Sequence, residues 1–149
     1  MTHIEERQWQ SWGIALVRVA VGAVLVAHGS QKLLVYGIQG TAGAFGHMGL
    51  PLPELSALLS IGAEFLGGLA LVLGLATRWA AGAAAINMAV AVFAVHLKNG
   101  FFLPAGAEYA LTLLLANLAL VLTGAGAFAL DGLWGKGRVL AASMMPARG

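Results

Sequence analysis

The chain has no cysteine, so disulfides, thiolate nucleophiles, iron–sulfur ligation and thiol relay through it are excluded. Charge is almost as scarce. Only 9% of the 149 residues are Asp, Glu, Lys or Arg, against about 25% in an average soluble protein. Eight basic and six acidic residues give a formal charge of +2, and the basic ones form no cluster. A basic stripe with interleaved aromatics, which would track a phosphate backbone, is missing, so no nucleic-acid partner is expected. There is no Walker phosphate loop, no dinucleotide fingerprint and no HExxH metal motif. No metal site is expected. The length allows one compact unit, read as a single domain over 1–149, with no separate soluble catalytic domain.

What is present is hydrocarbon. Hydrophobic residues make up 60% of the chain, and the mean hydropathy is +0.87. Apolar stretches run Trp12–Tyr36, Leu55–Ala76, Trp79–Leu97 (or Lys98) and Ala107–Thr123. Each approaches the ~20 residues that carry a helix across a bilayer core. The spacing predicts an all-α integral membrane four-helix bundle in contact with lipid. The acidic N-terminus and the length of the first stretch favour a retained span over a signal peptide.

Turn chemistry places the connections. The run 37–53 holds Gly37, Gly40, Gly43, Gly46, Gly49, Pro51 and Pro53 and reads as too broken for a continuous helix. Phe45, Met48 and Leu50 could still pack it against the mouth of the bundle. Ala76-Thr77-Arg78 is a tight hairpin that makes spans two and three antiparallel neighbours. Residues 127–149 read as an interfacial segment lying on the membrane. Arg7, Arg78, Lys136, Arg138 and Arg148 fall on one side and Lys32 and Lys98 on the other. Five against two predicts both termini in the cytoplasm.

Ionisable residues within or beside the spans are costly in lipid and mark candidate sites. Counting about 1.5 Å per residue from Ala23 puts Arg18 about 7 Å to the cytoplasmic side and His28 as far to the other. Glu64 falls near the middle of span two. His96 and Glu108 lie near the outer ends of spans three and four. At 100° per residue, Arg18, Gly22, Leu25, Gly29 and Lys32 share a sector of about 80°, with His28 some 40° beyond Lys32. That stripe faces the bundle interior or a cavity.

Two readings of these groups stand side by side. Arg18 and Glu64 form either a buried structural ion pair or a proton carrier, Glu64, tuned by Arg18. His28 and His96 bond neighbours or water, contact a quinone, or ligate haem. Haem is disfavoured because the histidines for a second haem are missing and the bundle is small. Glu108 can simply suit the N-terminus of its helix, Tyr109 an aromatic belt, and Asn87 and Asn117 helix–helix contact. The pairs Ala63/Gly67, Ala70/Gly74 and Ala81/Ala85 permit close packing within one chain or in a homo-oligomer.

The order of residues resembles the DoxX family of small four-helix membrane proteins. The resemblance is carried by Arg18, His28-Gly29-Ser30-Gln31-Lys32-Leu33, Glu64-Phe65-Leu66-Gly67-Gly68 and Leu73-Gly74-Leu75-Ala76-Thr77-Arg78. It continues through Ala91 to His96, Asn99-Gly100-Phe101-Phe102, Glu108-Tyr109-Ala110-Leu111, Thr123 to Gly126, and Leu130-Asp131, over about residues 12–134. It implies a bacterial inner-membrane protein linked to quinone-dependent oxidoreduction. One branch of the family includes the membrane subunit of a thiosulfate:quinone oxidoreductase, and others are tied to thiol or oxidative stress. The positions carried across are Arg18, His28, Lys32, Glu64, His96 and Glu108.

The leading expectation is a quinone, or a similar lipophilic aromatic, in the outer half of the bundle. Catalytic roles fall to His28, His96 and Glu64, with Arg18, Lys32 and Glu108 as cofactor-binding residues. The alternative is a non-catalytic membrane scaffold that anchors a soluble oxidoreductase subunit. A carrier ranks last, because neither an internal repeat nor clearly broken spans are visible.

Overall fold

The computed structural model describes residues 2–132. The expected interfacial segment therefore lies mostly outside the described residues. The elements are α1 (His3–Ser30), α2 (Gly37–His47), α3 (Pro53–Ile61), α4 (Gly67–Leu73), α5 (Thr77–Val90) and α6 (Glu108–Thr123). π-helical turns at Gln31–Tyr36, Gly62–Leu66 and Ala91–His96 extend α1, join α3 to α4, and extend α5. Among the described residues there is no strand.

Three stretches are long and apolar enough to cross a membrane: the first within His3–His47, then Pro53–Leu73 and Thr77–Asn99. The fourth, α6, has 16 residues and rises about 24 Å, somewhat short of a full hydrocarbon core. α1 packs on α4, α4 on α5, α5 on α6, and α6 returns to α1, closing a four-helix ring. Its core holds Val21, Leu25, Leu71, Ala81, Ala84, Met88, Leu113 and Leu120. Leu16, Leu66, Ile86, Phe93, Leu115 and Leu122 are exposed around the outside. Hydrocarbon, not water, is the solvent that tolerates such a surface.

Two expectations are corrected. α1 starts at His3, not near Trp12, because Thr2 and Glu5 form a capping box. The Thr2 hydroxyl accepts from the Glu5 N–H, and the Glu5 carboxylate accepts from the Thr2 N–H. The glycine-rich run is also not simply a loop. Gly37 (φ 68°) turns the chain, after which Gly37–His47 is helical and packs along α3. Phe45, Met48 and Leu50 line the mouth, as their apolar character suggested.

The buried stripe on α1 is as the helical angles place it: Arg18, Gly22, Leu25 and Gly29 are all buried. Spans one and two approach closely at Gly22 and Gly68, and at Gly29 against the Phe65 backbone. A Cβ on Gly22 would meet the Gly68 carbonyl oxygen at 2.9 Å, and one on Gly68 would meet the Gly22 oxygen at 2.8 Å. Backbones this close are how membrane helices gain packing energy without a hydrophobic drive between them.

Candidate functional site

Arg18 is 1% exposed, yet it does not pair with Glu64. Its guanidinium donates to the carbonyls of Leu71 (2.6 Å), Val72 (3.0 Å), Ala125 (2.8 Å), Ala127 (3.1 Å) and Phe128 (3.2 Å). Leu71 and Val72 end α4 about two helical turns beyond Glu64. The cation thus satisfies orphan carbonyls at a helix C-terminus, where positive charge is favourable. The Arg18–Glu64 pair expected from depth counting is absent, and Arg18 cannot tune Glu64 by contact.

The same end of the bundle holds Asp131. Its carboxylate accepts from the Ala76 N–H at 2.6 Å and the Thr77 N–H at 2.9 Å, capping α5 across the hairpin. Burial pushes the Asp131 carboxyl up, but hydrogen bonds from Thr77 and from the Ala76 N–H, with the Arg18 charge, outweigh burial and hold it below the ordinary range. Gly74 (φ 66°) makes that hairpin possible; a Cβ there would meet Ala129 and the Arg18 guanidinium at 2.6 Å.

At the opposite end the polar partners come from three spans. The Lys32 ammonium donates to Glu64 Oε1 at 2.6 Å and to the Ser60 hydroxyl at 2.9 Å. Asn87 Nδ2 donates to the same Glu64 Oε1 at 3.0 Å. The Phe45 ring lies over Lys32, with its centroid 5.7 Å from Nζ. Glu64 is 3% exposed, and among the described residues its Oε2 has no hydrogen-bond partner. Lys32 and Glu64 each sit in a π turn, where the extra residue re-aims side chains relative to an unbroken helix. The Thr41 hydroxyl donates to the Lys32 carbonyl at 3.2 Å, tying α2 to the first of these turns.

This cluster borders a cavity of about 490 Å³ between spans two and three, covered by Phe45, Met48 and Leu50. Most of its wall is apolar. Leu59, Ile86 and Val90 line it and are also exposed, so its rim meets the hydrocarbon face. Lys32, Ser60, Glu64 and Asn87 supply its polar wall, and His96 lines it too. His96 lies in the third π turn, 3.0 Å through Nδ1 from the Ala105 carbonyl. A carbonyl only accepts, so Nδ1 carries the hydrogen and Nε2 is left as the acceptor of the neutral ring.

Other expected site residues stand elsewhere. His28 is exposed and faces α6, its Nε2 3.4 Å from the Tyr109 hydroxyl. It does not line the cavity, so the expected meeting of His28 with Glu64 and His96 is not formed. The helical angle explains this: His28 is off the buried stripe that carries Arg18, Gly22, Leu25 and Gly29. Glu108 accepts from the Leu103 N–H at 2.8 Å, bracing the connection before α6 rather than shaping the cavity. Ser60 and Asp131 are not among the site residues expected from the sequence. Ser60 carried no distinguishing signal, whereas Asp131 is a lone acid just after the last span.

Fold and site together define a helical membrane protein with a buried polar cluster beside a lipid-facing apolar cavity. Residues 13–97 match the DoxX family model, and the chain belongs to the DoxX family. It is 36% identical over 126 residues to the Bacillus subtilis protein named "Putative oxidoreductase CatD", covering 85% of this chain and 90% of that one. It is 35% identical over 135 residues to an uncharacterized protein of Haemophilus influenzae, covering 88% and 96%. No solved structure matches the chain.

Proposed function

We propose that the cavity binds a quinone or a similar lipophilic aromatic, and that the protein serves quinone-linked oxidoreduction in the bacterial inner membrane. The observation that carries this reading is the Lys32–Glu64–Asn87–Ser60 cluster set into the wall of an otherwise apolar, lipid-facing cavity. The volume lies within the roughly 300–1,000 Å³ of typical small-molecule pockets. An apolar wall with a few convergent polar groups suits a substituted ring whose oxygen must be held and whose body must stay dry. An ammonium has three hydrogens, and two of them go to Ser60 and Glu64. The third is free to donate to a ligand oxygen.

Quinone and hydroquinone interconvert by two electrons and two protons. On this reading Glu64 handles protons at the ligand oxygen, Lys32 orients that oxygen, and His96 contacts the ring from the same cavity. The excess of basic residues at Arg7, Arg78 and in the tail supports cytoplasmic termini, with the Lys32 end on the outer side. The name carried by the Bacillus subtilis relative supports an oxidoreductase role without specifying a substrate.

Gentle extraction followed by mass spectrometry of bound lipid tests the reading. A stoichiometric quinone in the wild type, lost in Lys32→Met, supports it. A stable complex with a soluble oxidoreductase and no bound aromatic would favour the scaffold role instead.

A further inference from the structure

We infer that the ligand oxygen held beside Glu64 is a hydroxyl, so that the cavity selects a phenolic, reduced ring over its quinone form. The inference rests on the proposed binding of a lipophilic aromatic in this cavity and adds which oxidation state is recognised.

The argument starts from an imbalance within the cluster. Glu64 Oε1 receives two donors among the described residues, Lys32 Nζ and Asn87 Nδ2, while Oε2 receives none from them. Among the described residues, Glu64 Oε2 is the unpartnered buried side-chain atom whose residue borders the cavity; Thr77 and Asn117, which also carry one, do not line it. Buried polar atoms are nearly always satisfied, and a carboxylate oxygen is only an acceptor. The missing partner must therefore bring a hydrogen. Ser60 accepts from Lys32 and Asn87 donates to Oε1, and among the described residues no group donates to Oε2.

A phenolic hydroxyl meets both demands of the wall. It donates to Glu64 Oε2 and accepts the remaining hydrogen of Lys32. A quinone carbonyl meets only the second and sets its lone pairs against the carboxylate. His96 adds a second acceptor, Nε2, on a residue lining the same space. A ring bearing two hydroxyls fits such a wall better than one bearing two carbonyls.

The test is binding to the full chain in lipid nanodiscs under anaerobic conditions. Three probes are compared: a decyl-substituted benzohydroquinone, the matching benzoquinone and the hydroquinone dimethyl ether. A hydrogen bond to an ionised acceptor predicts that the hydroquinone binds about tenfold or more tighter than either other probe. Glu64→Gln, whose amide can donate, should erase or invert that ratio. His28→Ala, at a residue outside the cavity wall, should keep it.

Equal or tighter binding of the quinone or the dimethyl ether by the wild type overturns the inference while leaving the cavity as the aromatic site. Binding of none of the three overturns the site itself. The wild-type comparison stands even where a variant fails to fold.

Discussion

Replacing Lys32 with Met keeps the apolar stem of the side chain and deletes its charged end. Among the described residues, Glu64 would then be buried with only Asn87 donating to it. Breaking a buried pair by removing one partner typically costs about 3–5 kcal/mol, because the remaining charge is stranded in low dielectric. The Lys32 side chain is 22% exposed and that of Glu64 4%, so water reaches the ammonium but hardly the carboxylate. The stranded group is the inaccessible carboxylate, which sets Lys32→Met toward the upper end, about 4 kcal/mol. Glu64→Leu strands a cation nearer the surface and should cost less. The double change removes both charges and should recover most of the loss, giving a coupling energy of about 3 kcal/mol. Unfolding in mixed micelles at increasing SDS mole fraction, followed by helical circular dichroism, measures all three. A Lys32→Met protein within about 0.5 kcal/mol of wild type, the range of an inconsequential surface change, would refute the reasoning.

Further outcomes follow from other contacts. Gly22→Leu must push α1 and α4 apart against the Gly68 carbonyl; overpacking costs about 1–3 kcal/mol or more, seen as a lower SDS midpoint. The contribution of Asp131, whose carboxyl is depressed in the fold, is complete above its unfolded value and is lost as pH falls through the lower folded value. Stability should therefore drop below about pH 4, and Asp131→Asn should flatten that part of the profile. His28→Ala should leave affinity for the cavity ligand within about twofold, because His28 faces Tyr109. Asn87→Leu should weaken the ligand by about 1 kcal/mol or more through loss of the second donor to Glu64, read by titration of the hydroquinone probe.

Much of the fold could be read from residue order, since bilayer thickness and helical period are fixed quantities. The four apolar stretches and the buried face of α1 needed nothing else. The site was less accessible. Counting depth along single helices put Lys32 and His96 toward one end with Glu64 beneath them, but it could not supply the stagger between helices. That stagger, and the helical path of 37–47, decide that Glu64 meets Lys32 and Arg18 meets carbonyls. π turns add a second obstacle, because each shifts the angular phase that a 100° rule assumes. Asp131 caps a helix that begins 54 residues earlier, a relation no local pattern displays.

The carbonyl cradle around Arg18 also has a history in time. Its ligands at Leu71 and Val72 are synthesised 53 and 54 residues after it, and those at Ala125, Ala127 and Phe128 more than a hundred residues after. A nascent first span therefore enters the membrane with a cation whose final coordination does not yet exist. Its docking against the bundle is completed only when the chain past α6 arrives, so assembly of this small protein closes from its last-made end.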